Sequence, residues 1–309
     1  MNSGYEGFEA SWYDLFWEAE EAPSELPLIE KFLEDRKGSC LYIGSGSGRL
    51  LGPLVAAGHD VLGLECSSEM ARLSREKFPD AKVLEEEWQK HEGKYAAIVI
   101  PAFTFQLFLD PQKQLARLSE QADSLYLTLF FPWAEISGDL APSEWYFDRK
   151  VVLPTGETGE LETQHKIKEQ VGSLVRKHRY TLKDASGNIV RMEETVQRLR
   201  FFTDAGLKKL LKKSGWKIIN EINNLGEGDD GELVYVATLH LITVPGLSFK
   251  NLGPSLEEKE GVNLTWLEAP LPTAKKSVSS PQLQRQSLDF SLSHSPRSTC
   301  SASNINVNF

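Results

Sequence analysis

The chain has 309 residues, of which 40% are hydrophobic and 25% are charged, a composition typical of a folded globular protein. Its 44 acidic and 34 basic side chains give a formal charge of −10. This excess of negative charge disfavours binding to nucleic acid or to an anionic membrane, because both require a basic surface. The three cysteines lack CxxC spacing, which excludes a disulfide scaffold and a Cys-rich zinc module. Since the N-terminus also lacks the pattern of a signal peptide, we expect a cytoplasmic protein.

The composition changes near Pro245. Residues 246–309 contain 12 serines in 64 positions and carry a formal charge of +1, whereas residues 1–245 carry −11. A segment with so few apolar residues cannot bury enough surface to fold. We therefore expect one folded domain over residues 1–245 and a Ser/Pro-rich, largely disordered tail over residues 246–309.

The first half of the chain alternates short apolar runs with amphipathic stretches. Helical patterns over residues 49–57, 67–77 and 111–121 lie between apolar runs at 40–43, 61–64, 81–84, 95–100 and 124–131. Strands that alternate with helices in this way form βαβ units with right-handed crossovers. The pattern predicts an α/β fold built on a parallel sheet.

The pattern changes after Pro132. Residues 144–201 are polar and alternating, and two extended runs, 174–182 and 189–201, flank a turn-rich segment that contains Gly187. This predicts an antiparallel β insertion. The chain then returns to its earlier pattern, with a helix that Thr203 caps and two further strands over 216–222 and 233–242.

A glycine-rich loop, Gly44-Ser-Gly-Ser-Gly48, lies between the first predicted strand and the first predicted helix. Glycines let the backbone turn tightly and let a ligand approach it, and a helix N-terminus offers unpaired N–H groups. The second strand ends at Glu65, where a carboxylate can accept hydrogen bonds from both hydroxyls of a ribose. The loop and the acid together predict a cofactor that contains a nucleoside.

The spacing of the glycines narrows the class of cofactor. A dinucleotide site has the pattern G-x-G-x-x-G/A, but Arg49 stands at the third glycine position. A P-loop is excluded because no Gly-Lys-Ser/Thr sequence follows. The pattern that remains is G-x-G-x-G.

Three features resemble class I S-adenosylmethionine-dependent methyltransferases. They are the G-x-G-x-G pattern, the acid at the end of strand two, and the helix start Ser67-Ser-Glu-Met70. The similarity covers about residues 5–243. Segments 82–88, 95–111 and 200–216 are similar to motifs that come later in the family's sequences. Segment 11–15 is similar to the N-terminal segment that folds over the cofactor. The resemblance implies a Rossmann-like seven-stranded sheet with helices on both faces, with the antiparallel insertion as a lid. One position departs from the family, because Tyr42 stands where an Asp or Glu is usual.

The resemblance also implies S-adenosylmethionine as the cofactor and a set of residues that bind it. Glu65 would hold the ribose, Glu87 and Trp88 the adenine, and Tyr13 would cover the sulfonium, since aromatic rings suit a cation. The implied cofactor-binding residues are Tyr13, Gly44, Ser45, Gly46, Arg49, Glu65, Cys66, Met70, Glu87, Trp88, Pro101 and Phe103. No metal site is predicted. No catalytic base is assigned, with His91, His165 and His178 left as candidates.

The implied activity is methyl transfer to a small molecule bound between the sheet and the insertion. The insertion itself is similar to the one in small-molecule and amino-sugar N-methyltransferases. A nucleic-acid substrate is disfavoured because the loop Ile100-Pro-Ala-Phe103 lacks the Asn/Asp-Pro-Pro-aromatic motif of amino-methylating nucleic-acid enzymes. Two alternatives stay open: a non-catalytic binding or regulatory protein on the same fold, and a nicotinamide-dependent oxidoreductase. The sequence predicts no oligomeric state.

Overall fold

The computed structural model describes residues 5–18, 25–138, 140–141, 143–223 and 232–239. These residues belong to one compact unit and form a seven-stranded sheet and a separate four-stranded sheet. The predicted tail, residues 246–309, lies outside the described residues, so its disorder stays a prediction.

The seven-stranded sheet has the order β10-β11-β5-β4-β1-β2-β3. Strands β1 to β5 pair in parallel, and β11 is antiparallel to both β5 and β10. The predicted seven-stranded sheet is therefore confirmed. Its strands are β1 (Cys40–Ile43), β2 (Val61–Glu65), β3 (Lys82–Glu85), β4 (Ala97–Ile100), β5 (Ser124–Phe130), β10 (Trp216–Asn223) and β11 (Glu232–Leu239).

Helices cover both faces of this sheet, and none of those described is long and apolar enough to cross a bilayer. On one face α6 and α8 bury their leucines against the sheet, and on the other α3, α4 and α5 pack against Tyr42 and Val99. The helices are α1 (Gly7–Ser11), α2 (Tyr13–Glu18), α3 (Leu26–Glu34), α4 (Leu51–Ala56), α5 (Ser68–Lys77), α6 (Pro111–Gln121), α7 (Trp133–Ser137) and α8 (Asp204–Lys213).

Side-chain caps explain where the longer helices begin. The hydroxyl of Ser67 accepts a hydrogen bond from the N–H of Met70, and Thr203 caps α8 in the same way. Such a cap satisfies an N–H that has no partner inside the helix. Both predicted helix starts are confirmed. Helix α4 begins at Leu51, two residues later than predicted.

The second sheet is antiparallel throughout, with the order β6-β7-β8-β9. Strands β8 and β9 flank a turn in which the Asp184 carboxylate accepts from the N–H groups of Ser186 and Asn188. The predicted antiparallel insertion is confirmed. Its strands are β6 (Tyr146–Val152), β7 (Thr158–Lys168), β8 (Ser173–Lys183) and β9 (Ile189–Arg200).

A single buried amide joins the two sheets. The Gln106 side chain donates to the carbonyl of Phe130, at the end of β5, and to the carbonyl of Arg200, at the end of β9. It also accepts from the N–H of Phe130, at 2.9 Å. Because Gln106 is fully buried, an apolar residue in its place would remove these three hydrogen bonds from the interior. This amide holds the insertion at the carboxyl edge of the parallel strands.

We expect the substitution Gln106→Leu to lower the free energy of unfolding by about 2–4 kcal/mol, because it leaves buried backbone groups without partners. Urea denaturation followed by circular dichroism measures this change. The control is Gln112→Leu on the exposed side of α6, which should cost about 0.5 kcal/mol or less. Equal effects of the two substitutions would contradict the role given to Gln106.

Candidate functional site

A cavity of about 370 Å³ opens at the carboxyl ends of β1, β2 and β4, the edge at which parallel sheets bind ligands. The glycine loop forms its floor, the segment after β3 forms one wall, and helices α1 and α2 lie across it. The side chains that surround it include Tyr5, Glu9, Tyr13, Ile43, Leu64, Glu65, Cys66, Met70, Glu86, Glu87, Trp88, Thr104, Phe108 and Gln197.

Backbone geometry explains the glycines at the cavity floor. Gly44 has φ +74°, and a Cβ there would lie 2.5 Å from Cγ2 of Thr104. Gly46 has φ +56°, which a residue with a side chain rarely adopts. The loop therefore exposes main chain, rather than side chains, to whatever the cavity holds.

The Glu65 carboxylate is the fixed point of the cavity. One of its oxygens accepts from the N–H of Gly46 and the other from the N–H of Ser67, each at 2.8 Å. The side chain is buried, so these bonds orient it between the glycine loop and the start of α5. Each oxygen keeps a further lone pair, and the carboxylate can thus still accept hydrogen bonds from a ligand.

The charge on the walls has one sign. Glu9, Glu65, Glu86 and Glu87 line the cavity, whereas none of the lining residues described is a lysine or arginine. An ion held between carboxylates and away from water must be a cation if it is to be stabilised. The walls therefore favour a positively charged ligand and disfavour a pyrophosphate group.

An aromatic wall faces the same space. Trp88 is buried and stacks on Phe108 with ring centres 5.0 Å apart. Its indole N–H is buried and has no hydrogen-bond acceptor among the described residues. Unsatisfied buried donors are rare in folded proteins, and the ring that carries this one lines the cavity.

The N-terminal helices cover the cavity and are anchored at two points. The N–H of Gly7 donates to the Glu69 carboxylate on α5 at 2.7 Å, and the N–H of Phe8 donates to Glu193 on β9 at 2.8 Å. Tyr5 and Tyr13 meet edge to face, with ring centres 5.5 Å apart. Helix α1 thus connects the parallel sheet to the insertion.

A second cavity, of about 210 Å³, adjoins the first beneath the antiparallel sheet. The two cavities share part of their lining, and beyond it the second is enclosed by side chains from β6, β7 and β8. The shared residues are Tyr5, Glu9, Tyr13, Ala102, Leu107 and Gln197, and the other lining residues include Phe103, Phe130, Asp148, Arg149, Arg176, His178 and Tyr180.

Several ionisable side chains of the second cavity have shifted pKa values, His178 and Glu9 among them. Burial lowers the pKa of His178 to about 4, with the nearby Arg176 guanidinium acting in the same direction. Burial raises the pKa of Glu9 to about 7, although the Thr195 hydroxyl partly opposes this. At neutral pH the His178 imidazole is therefore uncharged, and the Glu9 carboxyl group readily takes up and releases a proton.

A short hydrogen-bond chain orients His178. The Thr163 hydroxyl donates to the Asp148 carboxylate at 2.8 Å and lies 3.0 Å from Nδ1 of His178. Since the hydroxyl proton is given to Asp148, Nδ1 must carry the proton that is shared with Thr163.

The turn after β4 is strained and is held by a buried acid. Ala102 and Phe103 both have positive φ, +49° and +64°, a conformation that costs non-glycine residues energy. The Glu25 carboxylate accepts from the N–H of Ala102 at 3.3 Å and from the Thr128 hydroxyl. The strain thus lies at the point where the two cavities meet.

The structure brings most of the predicted cofactor-binding residues together. Phe103 lines the second cavity rather than the first, and three predicted residues line neither. Ser45 turns inward against Gly63, and Pro101 is buried at the end of β4. Arg49 lies near the Tyr42 phenol and away from both cavities. Those that line the first cavity are Tyr13, Gly44, Gly46, Glu65, Cys66, Met70, Glu87 and Trp88.

Tyr42, the departure from the family pattern, does not face the cavity. It packs on the opposite face of the sheet with Phe32 and Tyr126. Its pKa is raised above the usual range, chiefly by burial and then by the nearby Glu25 carboxylate. Tyr5, Glu9 and Gln197 are lining residues that the sequence analysis missed, since they belong to no motif and reach the site only through the fold.

No protein-family model matches the sequence, and no curated protein matches it. Several solved structures do. A methyltransferase dependent on S-adenosylmethionine from Clostridium acetobutylicum is 13% identical, with a TM-score of 0.59 over 74% of this chain and 97% of its own. The chain has the fold of S-adenosylmethionine-dependent methyltransferases.

Two further structures agree on this methyltransferase fold. CalS10, an amino pentose methyltransferase from Micromonospora echinaspora, is 18% identical, with a TM-score of 0.57 over 78% of this chain and 99% of its own. KedS8, a sugar N-methyltransferase from Streptoalloteichus, is 19% identical, with a TM-score of 0.57 over 76% and 96%. At such identities the similarity establishes the fold, and the chemistry must be argued from the site.

The low pKa of His178 predicts a loss of stability in acid. The neutral imidazole favours the folded state, so its contribution is complete above pH 6.5 and is lost as the pH falls towards 4, by up to about 3 kcal/mol. His178→Asn keeps a donor for Thr163 but cannot titrate. Urea denaturation at pH 7.5 and 4.5 should show a smaller pH dependence for the variant. An identical dependence in both proteins would contradict the assignment.

Proposed function

We propose that this chain is an S-adenosylmethionine-dependent methyltransferase that acts on a small-molecule acceptor. The observation that carries the proposal is the first cavity, in which a glycine loop, a fixed carboxylate at the tip of β2 and acidic walls occur together. A sulfonium cofactor combines a ribose, an adenine and a positive charge. Each of the three has a complementary group in the cavity.

The residues present fit such a cofactor. The volume is within the range of small-ligand sites, Glu65 keeps lone pairs for ribose hydroxyls, and Trp88 offers an aromatic ring. Glu87 lies beside Trp88 and could accept from an amino group, and Tyr13 closes the cavity from above. When bound, S-adenosylmethionine supplies a methyl group already activated on sulfur.

The protein then has to hold an acceptor in line and keep water away, and alignment alone supplies much of the rate of such a transfer. The second cavity is suited to this task because it shares a wall with the first and is closed by the antiparallel sheet. Its volume of about 210 Å³ limits the acceptor to a small molecule or one end of a larger one. CalS10 is described as an amino pentose methyltransferase and KedS8 as a sugar N-methyltransferase, and these descriptions support a small-molecule acceptor.

The acidic walls also weigh against the alternatives. A nicotinamide dinucleotide would place its pyrophosphate among carboxylates with no basic partner in the described lining. A non-catalytic binding protein would need the first cavity but would have no use for a connected second one. The cytoplasmic location stays a prediction.

The proposal is tested by calorimetry with S-adenosylhomocysteine, the demethylated product. We expect wild-type protein to bind it and Glu65→Ala to weaken binding by about 1–3 kcal/mol, because hydrogen bonds to a charged group are lost. The control is Glu76→Ala, an exposed acid on α5, which should leave the dissociation constant unchanged.

Each possible result has a clear meaning. Absence of binding by the wild-type protein, or binding of NADH in its place in a fluorescence titration, would overturn the proposed cofactor. Binding combined with no methyl transfer to any member of a panel of small amines and alcohols, followed by mass spectrometry, would favour the non-catalytic protein.

A further inference from the structure

Glu9 occupies a position that no other carboxylate has. It lies on α1, is buried, and is the only acidic side chain that lines both described cavities. If the cofactor fills one cavity and the acceptor the other, the transferred methyl group must cross the region between them. The Glu9 carboxylate lies on the wall of that region.

No cation neutralises this carboxylate. Among the described residues no lysine, arginine or histidine forms an ion pair with Glu9, whereas Arg176 in the second cavity is paired with Glu135. The nearby Thr195 hydroxyl favours the charged form only in part, and its oxygen forms no hydrogen bond among the described residues. Burying an ionisable group without a counter-ion is costly, so a bound cation would relieve a cost that the folded protein otherwise bears.

The other ionisable groups near the junction are poorer bases. Burial raises the pKa of the Tyr5 phenol well above its usual range, so it stays protonated. The low pKa of His178 makes it a weak base, and it lines only the second cavity. The Asp148 carboxylate already accepts from Thr163 and lies next to Arg149.

We propose that the Glu9 carboxylate binds the protonated amine of the methyl acceptor and removes its proton before transfer. The inference rests on the proposed function. One proton passes from the ammonium nitrogen to a Glu9 carboxylate oxygen, which frees the nitrogen lone pair. That nitrogen then bonds to the methyl carbon as the carbon–sulfur bond breaks, and the electron pair of the broken bond stays on sulfur. The proton on Glu9 leaves to solvent when the product departs.

An amine suits this site better than a hydroxyl. A carboxylate attracts an ammonium ion in the ground state, while a neutral hydroxyl gains only a hydrogen bond. Proton transfer is also most efficient when donor and base have similar pKa values, and the raised pKa of Glu9 lies closer to that of an ammonium than to that of an alcohol.

Other charges around α1 belong to the same electrostatic environment. Each packs against the helix or lines one of the two cavities. They are Tyr5, Tyr13 on α2, Glu65 on β2, Glu69 on α5, Glu86 and Glu87 after β3, Asp148 and Arg149 on β6, Arg176, His178 and Tyr180 on β8, and Glu193 on β9.

Two nucleoside probes separate the role of Glu9 from cofactor binding. Sinefungin carries an amine where S-adenosylmethionine carries the transferable methyl, whereas S-adenosylhomocysteine has nothing there. Calorimetry at pH 8 would compare both ligands with the wild-type protein, with Glu9→Gln, and with Glu6→Gln, an exposed acid just before α1.

We expect the wild-type protein and Glu6→Gln to prefer sinefungin by about tenfold or more, the value of a hydrogen bond between charged groups. Glu9→Gln should lose this preference and keep its affinity for S-adenosylhomocysteine. A preference for sinefungin that persists in Glu9→Gln overturns the inference and leaves the proposed function intact. If the wild-type protein binds neither nucleoside, the proposed function itself fails.

A measurement without ligand tests the state of Glu9 directly. Its raised pKa means that ionising the buried carboxyl destabilises the fold as pH rises from 4.5 through about 7. Glu9→Gln should therefore have a higher thermal midpoint than the wild-type protein at pH 8 and an equal one at pH 4.5. Equal midpoints at both pH values would show that Glu9 is not a buried, unpaired acid, and would overturn the inference.

Discussion

The site depends on one carboxylate that holds two backbone segments at the end of a strand. Glu65 accepts from the N–H groups of Gly46 and Ser67, which belong to the turns after β1 and β2. Parallel strands bring these turns side by side, but their N–H groups would repel one another without an acceptor between them. By satisfying both donors, the carboxylate fixes the shape of the cavity floor before any ligand arrives.

The second cavity exists because the antiparallel insertion is held in a fixed position next to the first cavity. Gln106 attaches the insertion to β5, and α1 attaches it to α5 through Glu69 and Glu193. These attachments close a space that water would otherwise fill. The consequence is that Glu9, on the same short helix, is buried without a counter-ion. The geometry that forms the second cavity is therefore the geometry that raises the pKa of an acid beside it.

Much of the fold could be predicted because its signals are local. The glycine loop, the caps at Ser67 and Thr203, and the change of periodicity after Pro132 each act within a few residues, and the structure contains the elements they predict. Among the residues that line the first cavity, Glu65 follows from its place at the end of β2, and Trp88 follows from the resemblance to the methyltransferase family.

The rest could not be predicted because it depends on contacts between distant parts of the chain. Helix α3 brings Glu25 to Ala102, a separation of 77 residues, and Gln197 reaches Tyr5 across 192. Neither residue lies in a recognisable pattern. Arg49 and Ser45 show the opposite case, since they belong to the motif but point away from the cavity because adjacent residues of a turn face different directions.

Tyr42 departs from the family pattern, but a buried acid lies close to it. A tyrosine there fills the helix-packed face of the sheet with an aromatic ring instead of an acid. A buried acid nevertheless stands close by, because Glu25 enters from the start of α3 and binds the strained turn after β4. Both groups act on the backbone that frames the first cavity, one beneath β1 and one at the end of β4. The negative charge near Tyr42 comes from Glu25, which binds the turn after β4, while the glycine loop after β1 is held by Glu65.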